Sequence, residues 1–421
     1  MQKTLRPTRL KGWYEYYREL CPICNRKGGC IVHEKGDRVA CIRVTSNTPF
    51  STSGAIPSWL HWLKDKKKID TSGIKQIKSA NKLPNEQLDK VYRALIEQTN
   101  LNDAHLEHLT SAKRGLTTEQ IIRREYRSMP EKSWNVCRDI QMYHDISDFT
   151  GVPGFYKYTN GNRSFWVIKG RDSILIPFRN EYNQIVGFQM RKDKVLNEAV
   201  LQTKKHGLQA RVKEQPNLVQ VLYDGEIIFE EKMEVGEMRD IAVGRTFLGF
   251  VKLEKQNRYF WLSSVNEPNG TSPGNPLPVH VSVPSHELAQ WETGTLLKKK
   301  AVWLSEGGLK CDIATDILQD CYSPKELEEI GDTMIAIPGV GSWRLALPVL
   351  ENMGVERVNL CFDADVMKNP AVKLHLLECA KELHSRNISL YLALWNEQDG
   401  NGIDDLLLNR SIPVMKALKE D

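Results

Sequence analysis

The sequence predicts an α/β protein: a parallel sheet flanked by helices over residues 297–421, preceded by an α+β segment over 85–296 and a small cysteine-rich module over 1–60. Three observations point there. Four short apolar runs near the C-terminus alternate with amphipathic stretches, the pattern of strands buried on both faces joined by crossover helices. The middle of the chain turns from helical periodicity to strand texture after Gly151. Four of the nine cysteines fall within the first 41 residues.

The chain of 421 residues is long enough for two to four domains. Its 41% hydrophobic and 26% charged content excludes disordered and mini-protein classes. No run of about 18 apolar residues is present, so no membrane span is expected. The basic start MQKTLRPTRLKGWYEYYREL lacks the apolar core of a signal peptide, and the expected location is cytoplasmic. Residues 1–83 hold 17 Lys plus Arg against 6 Asp plus Glu, a balance of +11, which leaves −6 for the rest. A module that basic on a mildly acidic body implies a polyanion held at one end and chemistry done elsewhere.

Cys21, Cys24, Cys30 and Cys41 stand at spacings x2, x5 and x10 in CPICNRKGGCIVHEKGDRVAC. Four soft donors that close together match a closed tetrahedral zinc site, with His33 open as a substitute for Cys30 or Cys41. A closed site is structural; it presents a surface. Around it lie Lys11, Arg18, Arg26, Lys27, Arg38 and Arg43, and the aromatics Trp13, Tyr14, Tyr16 and Tyr17. Aromatic faces stack on unpaired bases while cations track phosphates, although these aromatics can equally form the small module's core. Cys137, Cys311, Cys321, Cys361 and Cys379 stand singly in helical or strand patterns, as buried apolar residues do.

Residues 61–84, with four lysines between 64 and 68, read as a basic linker. Residues 85–129 read as helices, with Gly115 placed to end one of them and a capping box at Thr117 and Gln120 opening the next. ILIPF and IVGFQM around RNEYNQ give a hairpin. From 297 onward AVWLSE, TMIAIPG, RVNLCFDAD and ISLYLALW are strands, separated by the helices GLKCDIATDILQ, SWRLALPVLENMG and PAVKLHLLECAKELHSRN. Alternation of this kind calls for right-handed crossovers.

Functional residues of open parallel sheets gather at the carboxyl ends of the strands. AVWLSE ends on Glu306, and RVNLCFDAD ends on Asp363 and Asp365, which are two apart and share a face. After ISLYLALW come Asp399, Asp404 and Asp405, which are either further ligands or solvated loop acids. Clustered hard oxygen donors suit Mg²⁺ or Mn²⁺ and metal-assisted phosphoryl chemistry. The expected ligands are Glu306, Asp363, Asp365 and Asp404.

EGGLKCD, IPGVGSW, FDAD and NGIDDLL resemble the Toprim domain shared by bacterial primases, topoisomerases and some nucleases, and more specifically the primase-like Toprim proteins of phages and mobile elements. HLTSAKRGLTTEQIIRREYRSMP, DSILIPFRNEYNQIVGFQMR and RYFWLSS are similar to successive segments of the bacterial primase core. The cysteine module resembles that family's zinc-binding module, in which four cysteines are the ligands and His33 is an ordinary loop residue. The resemblance implies that Lys310 and Asp312 flank the metal site and that Arg191, Lys192, Arg258 and Tyr259 hold template or nucleotide phosphates across a cleft. It departs where Arg258 and Trp261 replace a lysine and a small polar residue, and where residues 194–257 insert a partly β segment.

The expectation is a primase that makes short RNA primers on single-stranded DNA from ribonucleoside triphosphates, with structural Zn²⁺ and catalytic Mg²⁺ or Mn²⁺. No G-x-x-x-x-G-K-[ST] loop occurs, so a separate helicase is the expected partner. The alternatives are a metal-dependent Toprim nuclease using the same acids, and a non-catalytic zinc-containing DNA-binding replication factor.

Overall fold

The computed structural model describes residues 5–8, 10, 12–17, 19–51, 58–63, 69, 80–201, 207–244, 246–274, 276–363 and 370–418. Asp365, Lys11, Arg18 and most of the expected linker lie outside the described residues. The chain forms two compact units, one of residues 1–77 with 192–259, the other of 78–191 with 260–421.

In the first unit the cysteine module is an antiparallel six-stranded sheet in the order Arg6–Pro7, Trp13–Glu15, Ile31–His33, Arg38–Cys41, Ser58–Trp62, Pro49–Ser51. Its strands are two to five residues long, and its core is correspondingly small: Tyr16, Cys21, Cys30, Val32, Val39 and Cys41. A module this poor in apolar volume needs a staple. The 194–257 segment is more thoroughly β than its sequence suggests. It forms two antiparallel sheets, Asn197–Leu201, Thr246–Lys255, Met238–Val243 and Leu208–Glu214, Leu218–Tyr223, Glu226–Lys232. They enclose their own core of Val219, Val221, Ile241, Val251 and Leu253.

The second unit begins with the helices Asn85–Glu97, Asp103–Thr110, Thr118–Arg124 and Ser133–Tyr143. The capping box is as the sequence indicates: Gln120 N–H donates to Thr117 Oγ1 (3.2 Å) and Thr117 N–H to Gln120 Oε1 (2.8 Å). Gly115 does not end the preceding helix, which stops at Thr110; it closes the following turn, at φ +64°, donating to Ser111 O. The hairpin strands Ser173–Arg179 and Ile185–Lys192 lie side by side in a four-stranded sheet.

The C-terminal sheet has six strands in the order His280–Ser282, Thr333–Ile337, Ala301–Glu306, Arg357–Leu360, Ser389–Leu394, Val414–Ala417. The four inner strands are parallel, in register Leu304 with Ile335 and Leu360. Both edge strands run antiparallel, so the expected parallel sheet is mixed, and among the described residues the cysteine module and the 194–257 segment pair antiparallel. The edges are too short to register as strand patterns: three and four residues. Period-two alternation splits the inner strands between two cores. Val302, Leu304, Val358 and Leu360 face one side with Leu350 and Leu383, and Trp303, Met334, Ala336 and Cys361 face the other with Leu318 and Leu406.

Candidate functional site

Two chemically distinct sites emerge, one in each unit. In the cysteine module the turn after Cys21 and the Gly28-Gly29 corner, both glycines at positive φ, fold the chain back so that Cys21, Cys24, Cys30 and Cys41 converge. One sulfur from each lies within 4.8 Å of the others, and three of the four cysteines are buried. This donor set fits structural zinc in a closed tetrahedral site. All four cysteines expected from the spacing contribute, and His33 instead packs edge-on against Trp13 at 5.2 Å.

Tyr16 is core, 6% exposed, and its hydroxyl is shifted toward the neutral form by burial and by neighbouring Cys21. Tyr17 is exposed, with Arg6 over its ring at 4.6 Å. Trp13 is paired across the sheet with His33, and Arg38 with Trp62. The Arg38 guanidinium lies over both indoles, at 5.7 Å from Trp13 and 5.4 Å from Trp62, and Phe50 packs on Trp13 at 4.7 Å. Trp62 is 63% exposed. Sequence reading missed Trp62 and Phe50 because they lie in the stretch taken as the module's tail and the start of the linker. Arg26 and Lys27 are exposed, whereas the Arg43 guanidinium turns onto the cysteine sulfurs.

In the second unit the parallel strands bring Glu306 and Asp363 to the carboxyl edge of adjacent strands. Gly307, at φ +83°, turns the chain from strand into the helix Gly308–Cys321, and a side chain at Gly308 would meet Phe178 at 2.7 Å. Lys310, in the first turn of that helix, is ion-paired with Asp363. Burial disfavours its ammonium, but Asp363, then Asp404 and Glu306, raise its pKa above the ordinary lysine value. Asn401 donates to the other Asp363 oxygen at 3.4 Å.

Asp404 sits in the first turn of Ile403–Leu408, 3% exposed, with Arg114 at 3.5 Å. Burial pushes its carboxyl up to about 6, with Lys310 and Arg114 opposing and Asp405 adding. Gly402 is the close approach: a Cβ there would lie 2.6 Å from Asp404 Oδ1 and 3.2 Å from Lys310 Nζ. The oxygen donors suit a hard divalent cation. Among the described residues, however, the four cysteines are the one set of three or more ligating side chains close enough to share an ion. The acids instead surround the Lys310 ammonium.

Asp312, which the resemblance sets beside the metal site, lies two residues beyond Lys310, about 200° around the helix. Its carboxylate is 2% exposed and accepts from Arg124 Nη1 (2.7 Å), Tyr126 Oη (2.7 Å) and Ser282 Oγ (2.6 Å), with His280 Nε2 at 2.9 Å. Arg124, 3% exposed, also pairs with Asp316 at 2.8 Å. Burial favours a neutral Asp312, and Arg124, His280 and Ser282 outweigh it, holding the carboxyl well below the ordinary range. The group braces the helix Thr118–Arg124 to the C-terminal sheet. A cavity of about 10 Å³, lined by Arg124, Arg179, His280 and Asp312 among others, adjoins it.

Arg191, in the second unit, is 5% exposed near the end of the strand Ile185–Lys192. Lys192, Arg258 and Tyr259 belong to the first unit, where Lys192 N–H donates to Arg258 O at 2.9 Å and the Arg258 side chain is exposed. Among the described residues no helix is long and apolar enough to cross a membrane.

A family profile described as Domain of unknown function (DUF3854) matches residues 326–413, a range that takes in Asp363 and Asp404. No curated protein matches the chain in sequence. Among solved structures, the chain is similar to the zinc-binding and RNA polymerase domains of the Aquifex aeolicus primase, at 10% identity over 98% of this chain and 82% of that one, with a TM-score of 0.39. It is similar to the E. coli primase catalytic core at 13% identity over 78% of this chain and 80% of that one, TM-score 0.38. The DnaG primase catalytic domain bound to ssDNA gives 12% identity over 78% and 80%, TM-score 0.40.

Proposed function

We propose that the chain is a DNA primase: it joins ribonucleotides into short RNA on single-stranded DNA by metal-dependent nucleotidyl transfer at the carboxyl edge of the C-terminal sheet. The observation that carries the reading is the meeting of Glu306 and Asp363, at adjacent parallel strand ends, with Lys310 of the following helix, and with Asp404 close by. In this reading the sheet is a Toprim sheet, and Glu306, Asp363 and Asp365 hold Mg²⁺ or Mn²⁺, with Asp404 the further candidate ligand. The bound ion supplies neutralisation of the transferring phosphate and of the leaving pyrophosphate.

The chain's own residues do the rest. Lys310 keeps the acids from repelling one another and offers a fixed positive charge to an incoming triphosphate. Arg114 holds Asp404 in place. Arg191, Lys192, Arg258 and Tyr259 are assigned to phosphate and template binding, the arginines through forked donors. The cysteine module offers single-stranded DNA the row of Trp13, Arg38 and Trp62, with indole faces for bases and cations for phosphates. Asp312 is left out of the chemistry.

The test is incubation with single-stranded circular DNA, labelled ribonucleoside triphosphates and Mg²⁺ or Mn²⁺. Short RNA that disappears in Asp363→Asn supports the proposal. Shortened DNA in place of RNA assigns the acids to a nuclease, and binding with no metal-dependent product assigns the chain to a non-catalytic DNA-binding role.

A further inference from the structure

We propose that Arg43 is the built-in counter-charge of the four-cysteine centre, and that it, rather than the cysteines alone, sets how tightly zinc is retained. The proposal rests on the zinc reading of the cysteines and on no part of the polymerase reading.

Four thiolates around one zinc ion leave a net charge of about two minus, which the module's small core cannot screen. Arg43 answers it directly. Its backbone N–H donates to Cys41 Sγ at 3.4 Å, and its Nη1 lies 3.5 Å from Cys30 Sγ and 3.6 Å from Cys24 Sγ. One residue therefore touches three of the four sulfurs.

The guanidinium is aimed, not merely nearby. Nη1 also donates to Gly28 O at 3.0 Å and Nη2 to Lys27 O at 3.5 Å, so the fork ties the Cys24–Cys30 loop to the segment following Cys41. Gly29, at φ +79°, lets the loop come close: a Cβ there would meet Ile42 Cδ1 at 2.4 Å and Arg43 Nη2 at 3.9 Å. Cys24 is the least buried of the four ligands, and so the first that a chelator reaches; it is one of the two that the guanidinium covers.

A lysine could supply the charge but not the planar fork, which spans two sulfurs and two carbonyls at once. Partners of this kind around metal ligands typically change affinity by about 10–100-fold. The Arg43 side chain is exposed, but its guanidinium is engaged by the sulfurs and carbonyls, which leaves Arg26, Lys27 and Arg38 for phosphate.

The test uses the full chain and a competing chromophoric chelator, 4-(2-pyridylazo)resorcinol, to measure zinc content and zinc affinity. One zinc per wild-type chain checks the underlying reading by itself. The expected result is a loss of affinity of about 10–100-fold in Arg43→Met, a smaller loss in Arg43→Lys, and wild-type affinity in Arg26→Met, which removes the same charge from the same module. Arg43→Met that holds zinc within twofold of wild type overturns the proposal. So does Arg26→Met as weak as Arg43→Met, since bulk charge is then the cause. Should the methionine variant fail to fold, Arg43→Lys decides: weakened retention supports the assignment, and wild-type retention overturns it.

Discussion

Asp312→Asn changes one oxygen for an amide inside the buried polar group of Arg124, Tyr126, His280, Ser282 and Asp316. Its carboxylate has four partners between 2.6 and 2.9 Å, and both Asp312 and Arg124 are buried. Asparagine keeps the shape but sets an amide N–H₂ against donors, and it leaves Arg124 with Asp316 as its remaining anion. Breaking a buried pair by removing one charge costs about 3–5 kcal/mol. Because the folded carboxyl is held below its ordinary value, its stabilisation is complete above a pH of about 4 and is lost as acid protonates it. The variant should therefore be less stable by about 3–5 kcal/mol at neutral pH, with a gap that narrows as the pH falls below about 4. Urea denaturation followed by circular dichroism across pH measures both. A loss within about 0.5 kcal/mol, with abolished RNA synthesis, would return Asp312 to the chemistry and refute the bracing role.

Chelation of zinc should abolish amide-exchange protection at Val39–Cys41, whose surroundings are little more than the cysteines, Tyr16 and Val32, while the Ala301–Glu306 strand stays protected; equal protection at Val39 with and without zinc would contradict this. Trp303→Ala should destabilise the second unit by about 3–5 kcal/mol in calorimetry, since the indole is fully buried and donates to Gly331 O at 2.9 Å. Gly402→Ala should lower metal-dependent RNA synthesis about tenfold or more, or about 1.4 kcal/mol in the barrier, without backbone strain, because φ is −106° while the added Cβ displaces Asp404 and Lys310. Full activity in that variant would mean that neither side chain needs its present position.

Much of the C-terminal sheet was legible because its inner strands are short, largely apolar and mostly buried runs, and such runs leave few alternatives. Glu306 and Asp363 could be placed at one edge from strand ends alone. The cysteine spacing was equally direct, since a ligand set must lie close in sequence or be invisible there. What escaped was whatever depends on long separations. Arg124 meets Asp312 across 188 residues, and Arg114 meets Asp404 across 290, so nothing local marks either arginine. Lys310 and Asp312 are both charged residues of one helical turn; their different surroundings follow from helix phase together with which surface each face packs on. The antiparallel edges were missed because strands of three or four residues carry no usable period.

Manganese binding read by electron paramagnetic resonance tests the central claim most directly. With the zinc site filled, the wild-type chain should bind Mn²⁺ saturably, and Glu306→Gln and Asp363→Asn should each lose that binding while retaining zinc and a native melt. A wild-type chain that binds no Mn²⁺, or variants that bind it as the wild type does, would contradict a divalent cation held at the carboxyl edge of the sheet.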